Sequence, residues 1–232
     1  MIILHIDTII QAGSVAITEF EKVSAIRHLN SAHHASSLHG LIQELMSETS
    51  TSFSNLSAVS ISQGPGSYTG LRIGTSAAKG ICYAMDIPLI AVDTLAAMSA
   101  WMQQYVFECD IYKPLFRPMI DAGRREVYSA LYDARQKCLK AVEAFIIEPV
   151  FFSEIPDNHV LYLGGNGAFK FSDDIVDNKQ VRLIQENIHT AEALVPIAVR
   201  KYLDKDFEDL AYYEPLYLKK YIPGKSYVKG LR

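Results

Sequence analysis

The chain of 232 residues is 49% hydrophobic and 21% charged with a net charge of −4. That balance excludes wholesale disorder and argues against a free-standing nucleic-acid binder, which is normally basic. Its three cysteines, Cys82, Cys109 and Cys138, lack Cys-x-x-Cys spacing, which disfavours a disulfide framework or a zinc site and fits a reducing compartment. The start, Met1-Ile2-Ile3-Leu4-His5-Ile6-Asp7, has no basic segment and turns polar at once, so it does not read as a signal peptide. No apolar run approaches the roughly 18 residues of a membrane span. A soluble cytoplasmic protein with no membrane contact is expected.

In chain order, Ile2 to Ile6 reads as a strand buried on both faces, with His5 as a hydrogen-bonded core histidine. Asp7-Thr8 closes that strand as a polar pair facing a crevice. A turn at Gln11-Ala12-Gly13 leads to two further strands, Ser14 to Phe20 and Lys22 to Leu29. Ser31 to Thr49 reads as a helix, with Ser31 as N-cap and an apolar stripe of Leu38, Leu41, Ile42, Leu45 and Met46. After a polar loop, Leu56 to Ser62 is the next strand.

There follows Gln63-Gly64-Pro65-Gly66-Ser67-Tyr68-Thr69-Gly70-Leu71-Arg72-Ile73-Gly74, expected as a tight turn before a helix over Thr75 to Met85. Such a junction can hold an anion at the helix N-terminus, or it can seat the helix closely on a neighbour. Ile87 to Val92 is a strand, and Asp93 or Thr94 caps a helix to about Val106 that carries Trp101.

Beyond a link at Glu108 to Pro114, the order begins again. Leu115 to Asp121, Glu126 to Asp133 and part of Cys138 to Val150 are strands. Ser153 to Pro156 is at most one helical turn; Val160 to Gly164 is a strand and Asn166 to Phe171 a short helix. Val181 to Ile184 is a strand, and Thr190 caps a last helix to about Leu203, with a kink expected at Pro196. Both halves thus share the order β-β-β-α-β-α-β-α, with the first helix of the second copy shrunken. An N-terminal lobe over 1–106 and a C-terminal lobe over 107–203 are expected, with 204–232 returning to the first. The positive end, Lys219, Lys220, Lys225, Lys229 and Arg232, is either a solvated tail or a docking patch for an acidic partner or RNA phosphates.

Gly-Pro-Gly-Ser-Tyr-Thr-Gly-Leu-Arg-Ile-Gly at 64–74, followed by Ala78-Lys79-Gly80 and Ile87-Pro88, resembles the signature of the bacterial TsaB (YeaZ) family. Ile6-Asp7-Thr8 resembles that family's opening, with Ile9 in place of the usual serine. Asp121-Ala122-Gly123-Arg124-Arg125-Glu126-Val127-Tyr128, Gly164-Gly165-Asn166-Gly167 and Glu214-Pro215-Leu216-Tyr217-Leu218 extend the match over most of the chain. The resemblance implies an α/β protein of two ribonuclease-H-like lobes of the actin-like ATPase (ASKHA) superfamily. It implies a pseudo-enzyme role in making N6-threonylcarbamoyladenosine at position 37 of tRNA: a non-catalytic, activating subunit paired with a TsaD-like catalytic subunit and a TsaE-like ATPase. Pairing would use the first two helices, and the same surface would form a homodimer when the chain is alone. No cofactor of its own is implied, with ATP or ADP and Mg²⁺ as ligands of the complex. The tRNA would be met only through that complex.

The residues bear on these expectations. His33, His34 and His39 are one, five and six apart, so no pair shares a helix face as a His-x-x-x-His metal site requires. There is no His-Glu-x-x-His and no Ser or Cys in a nucleophilic context. Asp7 and Thr8 stand where a phosphate turn would be, but Ile9 and Ile10 follow instead of glycine. Gly164, Gly165 and Gly167 form a candidate second phosphate loop or simply a sharp turn. Asp121 could serve a metal, or it could pair with Arg124 or Arg125. The expected partner interface is Leu38, Leu41, Ile42 and Leu45 of helix one with Gly70, Leu71, Arg72, Gly74, Ala77, Ala78 and Ile81 of helix two. The competing readings are a self-sufficient ATPase-, kinase- or metallopeptidase-like enzyme, and a tRNA-binding module using the basic tail.

Overall fold

The computed structural model describes residues 1–10, 13–29, 34–106, 112–146, 155–171 and 178–219, with backbone only for 34–37. The Gln11-Ala12 turn, the Ser31 cap, His33, Cys109, Ser153 and Glu154 of the 153–156 turn, and the tail from Lys220 onward therefore lie outside the described residues.

Two five-stranded sheets share one topology. The first holds β1 (Ile2–Asp7), β2 (Ser14–Glu19), β3 (Lys22–His28), β4 (Ala58–Ser62) and β5 (Leu89–Val92), in the order β3-β2-β1-β4-β5. The β1–β2 and β2–β3 pairs are antiparallel, and β1–β4 and β4–β5 are parallel. The second holds β6 (Lys113–Asp121), β7 (Glu126–Asp133), β8 (Cys138–Ile146), β9 (His159–Gly164) and β10 (Val181–Leu183), in the order β10-β9-β6-β7-β8. Its hairpin pairs are again antiparallel and its crossover pairs parallel. Each half is thus a meander followed by parallel crossovers, as the element order leads one to expect.

The period of two along each strand decides what covers each face. From the first sheet, Leu4, Ile6, Val15, Ile17, Val59 and Ile61 turn toward helices α1 (His34–Glu48) and α2 (Tyr68–Met85). Ile3, Ala58, Ile90 and Val92 turn the other way, onto Val195, Ala198 and Val199 of α4 (Val195–Leu203). Phe116, Ile120, Tyr128, Ala130 and Tyr132 of the second sheet take Leu95, Met98 and Met102 of α3 (Thr94–Met102). The last helix of each half therefore crosses to the other half's sheet. A boundary drawn in chain order at 106/107 separates α3 from the sheet it covers and assigns α4 to the lobe it leaves. Among the described residues, Ala168 and Phe171 of a 3-10 turn pack over the opposite face of the second sheet, against Leu115, Met119, Leu161 and Leu163.

Two helix expectations are corrected. α2 begins at Tyr68, with the Ser67 hydroxyl accepting from the Gly70 amide at 3.2 Å, so Gly70 and Gly74 lie inside the helix and not in the turn before it. Pro196 sits in the first turn of α4, where no ladder bond needs its N–H, so it starts the helix without kinking it. His5 is fully buried, with Nδ1 2.7 Å from the Ser60 hydroxyl and Nε2 2.9 Å from that of Thr18. Burial lowers its pKa to about 3, so the ring is neutral.

Residues 204–219 return along the first lobe. The Glu208 amide donates to Leu89 at 2.9 Å beside β5, and Leu210 and Tyr213 pack on the first core. Among the described residues no helix is long and apolar enough to cross a membrane.

Candidate functional site

β1 delivers Asp7 and Thr8 to the start of α2, and the glycines of the 63–74 stretch determine how close they come. The Thr8 hydroxyl donates to the Gly70 carbonyl at 2.7 Å. A Cβ at Gly70 would lie 1.9 Å from the Thr8 carbonyl oxygen, and one at Gly74 2.3 Å from Thr8 Oγ1. At residue 70 a backbone, and at residue 74 the Thr8 side chain, lies where a Cβ would be. Two of the loop amides are also spent inside the chain. Gly64 donates to Thr94 Oγ1 at 3.0 Å and Ser67 to the Ile9 carbonyl at 2.7 Å. Of the two roles open to this stretch, the contacts carry that of a helix seat.

Asp7 is buried, and its carboxylate accepts from the Ser62 hydroxyl at 2.8 Å and the Ile9 amide at 3.2 Å. Burial raises its pKa, and these two hydrogen bonds act against that rise. The second glycine turn is filled in the same way. Gly165 has φ +96°, and a Cβ there would meet the Met119 carbonyl at 2.4 Å and the Met98 methyl at 2.7 Å. Cβ atoms at Gly164 and Gly167 would press on Ile188 and on the Ile120 backbone, each at 2.9 Å. The Asn166 amide donates to Nε2 of buried His189 at 2.9 Å. Burial pulls the His189 pKa down to about 4.

Between the lobes lies a cavity of about 550 Å³. Ile9, Pro65 and Tyr68 line it from the first lobe, Asp121, Tyr128 and Asn166 from the second, and Leu216 to Lys219 from the returning segment. Asp121 does not pair with Arg124 or Arg125. It accepts from the Lys170 ammonium and, at 2.6 Å, from the Gly123 amide, while its own amide donates to Asn166 Oδ1 at 2.9 Å. Lys170 also donates to the carbonyls of Arg124 and Glu126 at 2.9 and 3.1 Å. A nucleotide with Mg²⁺ does not fit these groups: Asp7 is sealed, the glycine turns are occupied by the chain, and Asp121 already holds an ammonium. Among the described residues no three His, Cys, Asp or Glu side chains gather as a metal set; His39 is exposed. Lys170 and His189, which tie this network together, carried no motif. A lone lysine and a lone histidine acquire meaning only once the fold brings them to the cleft.

The outer face of α1 and α2 is a second candidate. Leu38, Ile42, Leu45, Leu71 and Ala78 do not reach it; each is at most 2% exposed and packs inside the chain. Gly70 and Gly74 are also buried, against Thr8. Of the expected set, Arg72 is exposed and Leu41 and Ile81 are half-buried. The sheet claims the most apolar stripe of each helix first. What remains outside is a groove of about 250 Å³ between the helices, lined by His39, Phe53, Ser76, Gly80, Ile81, Ala84 and Met85 with the edge of Ala77. Gly40 and Gly80 stand in mid-helix with nothing among the described residues within 4 Å of a Cβ, and Tyr83 is 84% exposed. The small residues at 80 and 84 are spaced by one turn, a signal in the sequence that the buried stripe overshadowed.

The model of the family described as TsaD, tRNA N6-adenosine threonylcarbamoyltransferase, matches residues 27–212. The tRNA threonylcarbamoyladenosine biosynthesis protein TsaB of Escherichia coli strain K12 is 28% identical, over 97% of this chain and 100% of that protein. Among solved structures, YeaZ from Pseudomonas aeruginosa superposes with a TM-score of 0.73 at 21% identity, over 94% of this chain and 99% of that one. The activator of 2-hydroxyisocaproyl-CoA dehydratase from Clostridium difficile, solved with bound ADPNP, superposes with a TM-score of 0.51 at 9% identity, over 90% and 99%. The two structural likenesses are likenesses of fold.

Proposed function

The chain belongs to the TsaB (YeaZ) family of tRNA threonylcarbamoyladenosine biosynthesis proteins, on the actin-like ATPase fold, and we propose that it serves there as a non-catalytic docking and activating subunit. Its partner in this reading is a TsaD-like catalytic subunit, held by the outer face of α1 and α2. A TsaE-like ATPase completes the assembly, two copies of this chain pair through the same face when alone, and tRNA is met through the complex. ATP or ADP with Mg²⁺ belongs to the complex, since in this chain Asp7 is buried and Asp121 already pairs with Lys170.

The observation that carries the reading is the pair of mid-helix glycines. A glycine inside a helix costs about 1 kcal/mol relative to alanine, and among the described residues no contact accounts for Gly40 or Gly80. Small residues on an outer face let a second pair of helices approach closely, and the half-buried Ile81 and exposed Met85 and Tyr83 supply the apolar area. The test is co-purification with the organism's TsaD-like protein, followed by a tRNA modification assay, with the parent chain and with Ala84→Arg. Ala84 is exposed, so the arginine leaves the fold intact. Loss of both pairing and modification is the expected result; unchanged pairing refutes the docking face. The cavity of about 550 Å³ is what favours a self-sufficient enzyme. Calorimetry of the isolated chain with Mg-ATP decides that reading, since micromolar binding with turnover would establish it.

A further inference from the structure

The returning segment crosses from one lobe to the other over the interlobe cavity. On the first lobe it is held many times. The Lys79 ammonium donates to the carbonyls of Ala211 and Tyr213 at 3.3 and 3.2 Å. The Leu216 amide donates to the Gln63 carbonyl at 2.8 Å, and the Tyr217 ring lies 5.1 Å from that of Tyr68. A Cβ at Gly64 would stand 2.8 Å from the Leu216 carbonyl oxygen, so residue 64 must be small for the segment to lie there. On the second lobe it is held by its end. Leu218 packs against the core that contains Ile120 and Tyr128. The Lys219 ammonium pairs with the Glu126 carboxylate and sits 5.7 Å from the Tyr128 ring centre.

We propose that residues 214–219 are a latch that fixes the separation of the two lobes across the cavity. Two lobes joined around a cleft move relative to one another unless something spans it. In this chain the exchanged helices α3 and α4, with Ile9 and Leu71 of the first lobe packed into the second sheet's core, join the lobes through their interiors, and the segment 214–219 joins them over the cavity. The anchorage is asymmetric. Backbone and ammonium–carbonyl bonds hold the first-lobe end, while one apolar side chain and one half-exposed ion pair hold the second. The second-lobe end is therefore the one that releases. The latch goes beyond the docking reading and stands without it, because none of its residues lies on the outer face of α1 and α2.

The test uses spin labels on exposed Cys138 of the second lobe and on Phe20→Cys of the first, with Cys109→Ser to keep labelling specific; Cys82 is buried. The inter-label distance distribution is measured in the full chain, in a chain ending at Tyr213, and in Leu218→Ala/Lys219→Ala. The full chain is expected to give one narrow distribution. Both variants are expected to give a longer or broader one, with amide exchange at 63–68 and 121–128 faster by about tenfold or more. Should the truncated chain fail to fold, the double alanine chain, which keeps the backbone contacts, decides the matter. A distribution and exchange pattern identical to the parent's in that chain overturns the latch. Pairing with the TsaD-like protein is measured in parallel. Retained pairing with an unchanged distribution would overturn the latch and leave the docking face standing.

Discussion

The Thr8 carbonyl oxygen occupies the place of a side chain at Gly70, 1.9 Å from where a Cβ would be, while the Thr8 hydroxyl donates to the Gly70 carbonyl at 2.7 Å. The end of β1 and the first turn of α2 are in backbone contact, and neither can give without moving a buried element. Gly70→Ala is therefore expected to destabilise the chain by about 3 kcal/mol or more, the upper range for overpacking. Gly74→Ala, with 2.3 Å to a hydroxyl that can rotate away, should cost less. Urea unfolding of the two variants measures the order; equal stability of Gly70→Ala and parent would refute the seat.

Gly80→Ala should behave in the opposite way. With open space around residue 80, alanine is expected to stabilise the isolated chain by about 0.5–1 kcal/mol through helix propensity. The same methyl is expected to weaken pairing with the TsaD-like protein by pushing a partner helix away. Arginine at Ala77 or Ala78 would not test pairing, because these side chains are 4% and 0% exposed and a charge there would unfold the lobe. Titration calorimetry with the partner, beside urea unfolding, checks both halves of this prediction. A variant that gains stability and pairs as tightly as the parent would remove the reason for placing the interface there.

The doubled sheets were legible in the chain because they rest on local patterns: apolar runs such as Ile2 to Ile6, the alternation through Val127 to Tyr132, and the caps at Asp93 and Thr190. The exchange of α3 and α4 was not legible, since an apolar face does not say which of two sheets it will meet. Most of the expected interface residues are buried within the chain for a related reason. Leu38, Ile42 and Leu45 form the most apolar stripe of α1, and the chain's own sheet takes such a stripe before any partner can. The partner of Asp121 was also hidden, because Lys170 is distant in sequence and Arg124 is adjacent; the turn at Arg124, with φ +51°, supplies its carbonyl to Lys170 instead.

Asp7 separates scaffold from enzyme. Its pKa is raised by burial, so the folded state holds the proton more tightly than the unfolded chain does. Ionisation is then a penalty to folding that grows as pH rises through the unfolded value and is complete above the folded one. Asparagine at this position keeps an oxygen for the Ser62 hydroxyl and the Ile9 amide and removes the charge. Asp7→Asn should match or exceed the parent in stability at pH 7, and the reconstituted complex should modify tRNA within about twofold of the parent rate. A positioned catalytic carboxylate would instead cost about 10²–10⁴-fold. A loss of that size, with pairing intact, would return Asp7 to the chemistry.

The buried histidines set the acid limit. His5 is lowered to about 3 and His189 to about 4, against an ordinary 6.5, in both cases because burial disfavours the imidazolium. The folded state thus binds fewer protons than the unfolded chain between these values. The stability they allow is fully present above pH 6.5 and is lost as pH falls toward 4, where His189 charges, and on toward 3, where His5 does. Each contributes a slope of up to about 1.4 kcal/mol per pH unit in that window. Asp7 acts in the opposite sense, since its penalty is relieved as it protonates, and so it blunts the low end of the fall. Urea unfolding at pH 7.5, 6.5, 5.5 and 4.5 should give a plateau followed by a decline. His189→Gln, which keeps an acceptor for the Asn166 amide, should roughly halve the slope between 6.5 and 4.5. A flat profile down to pH 4.5 in the parent would mean that neither ring is held neutral by burial, and an unchanged slope in the variant would assign the decline to other groups.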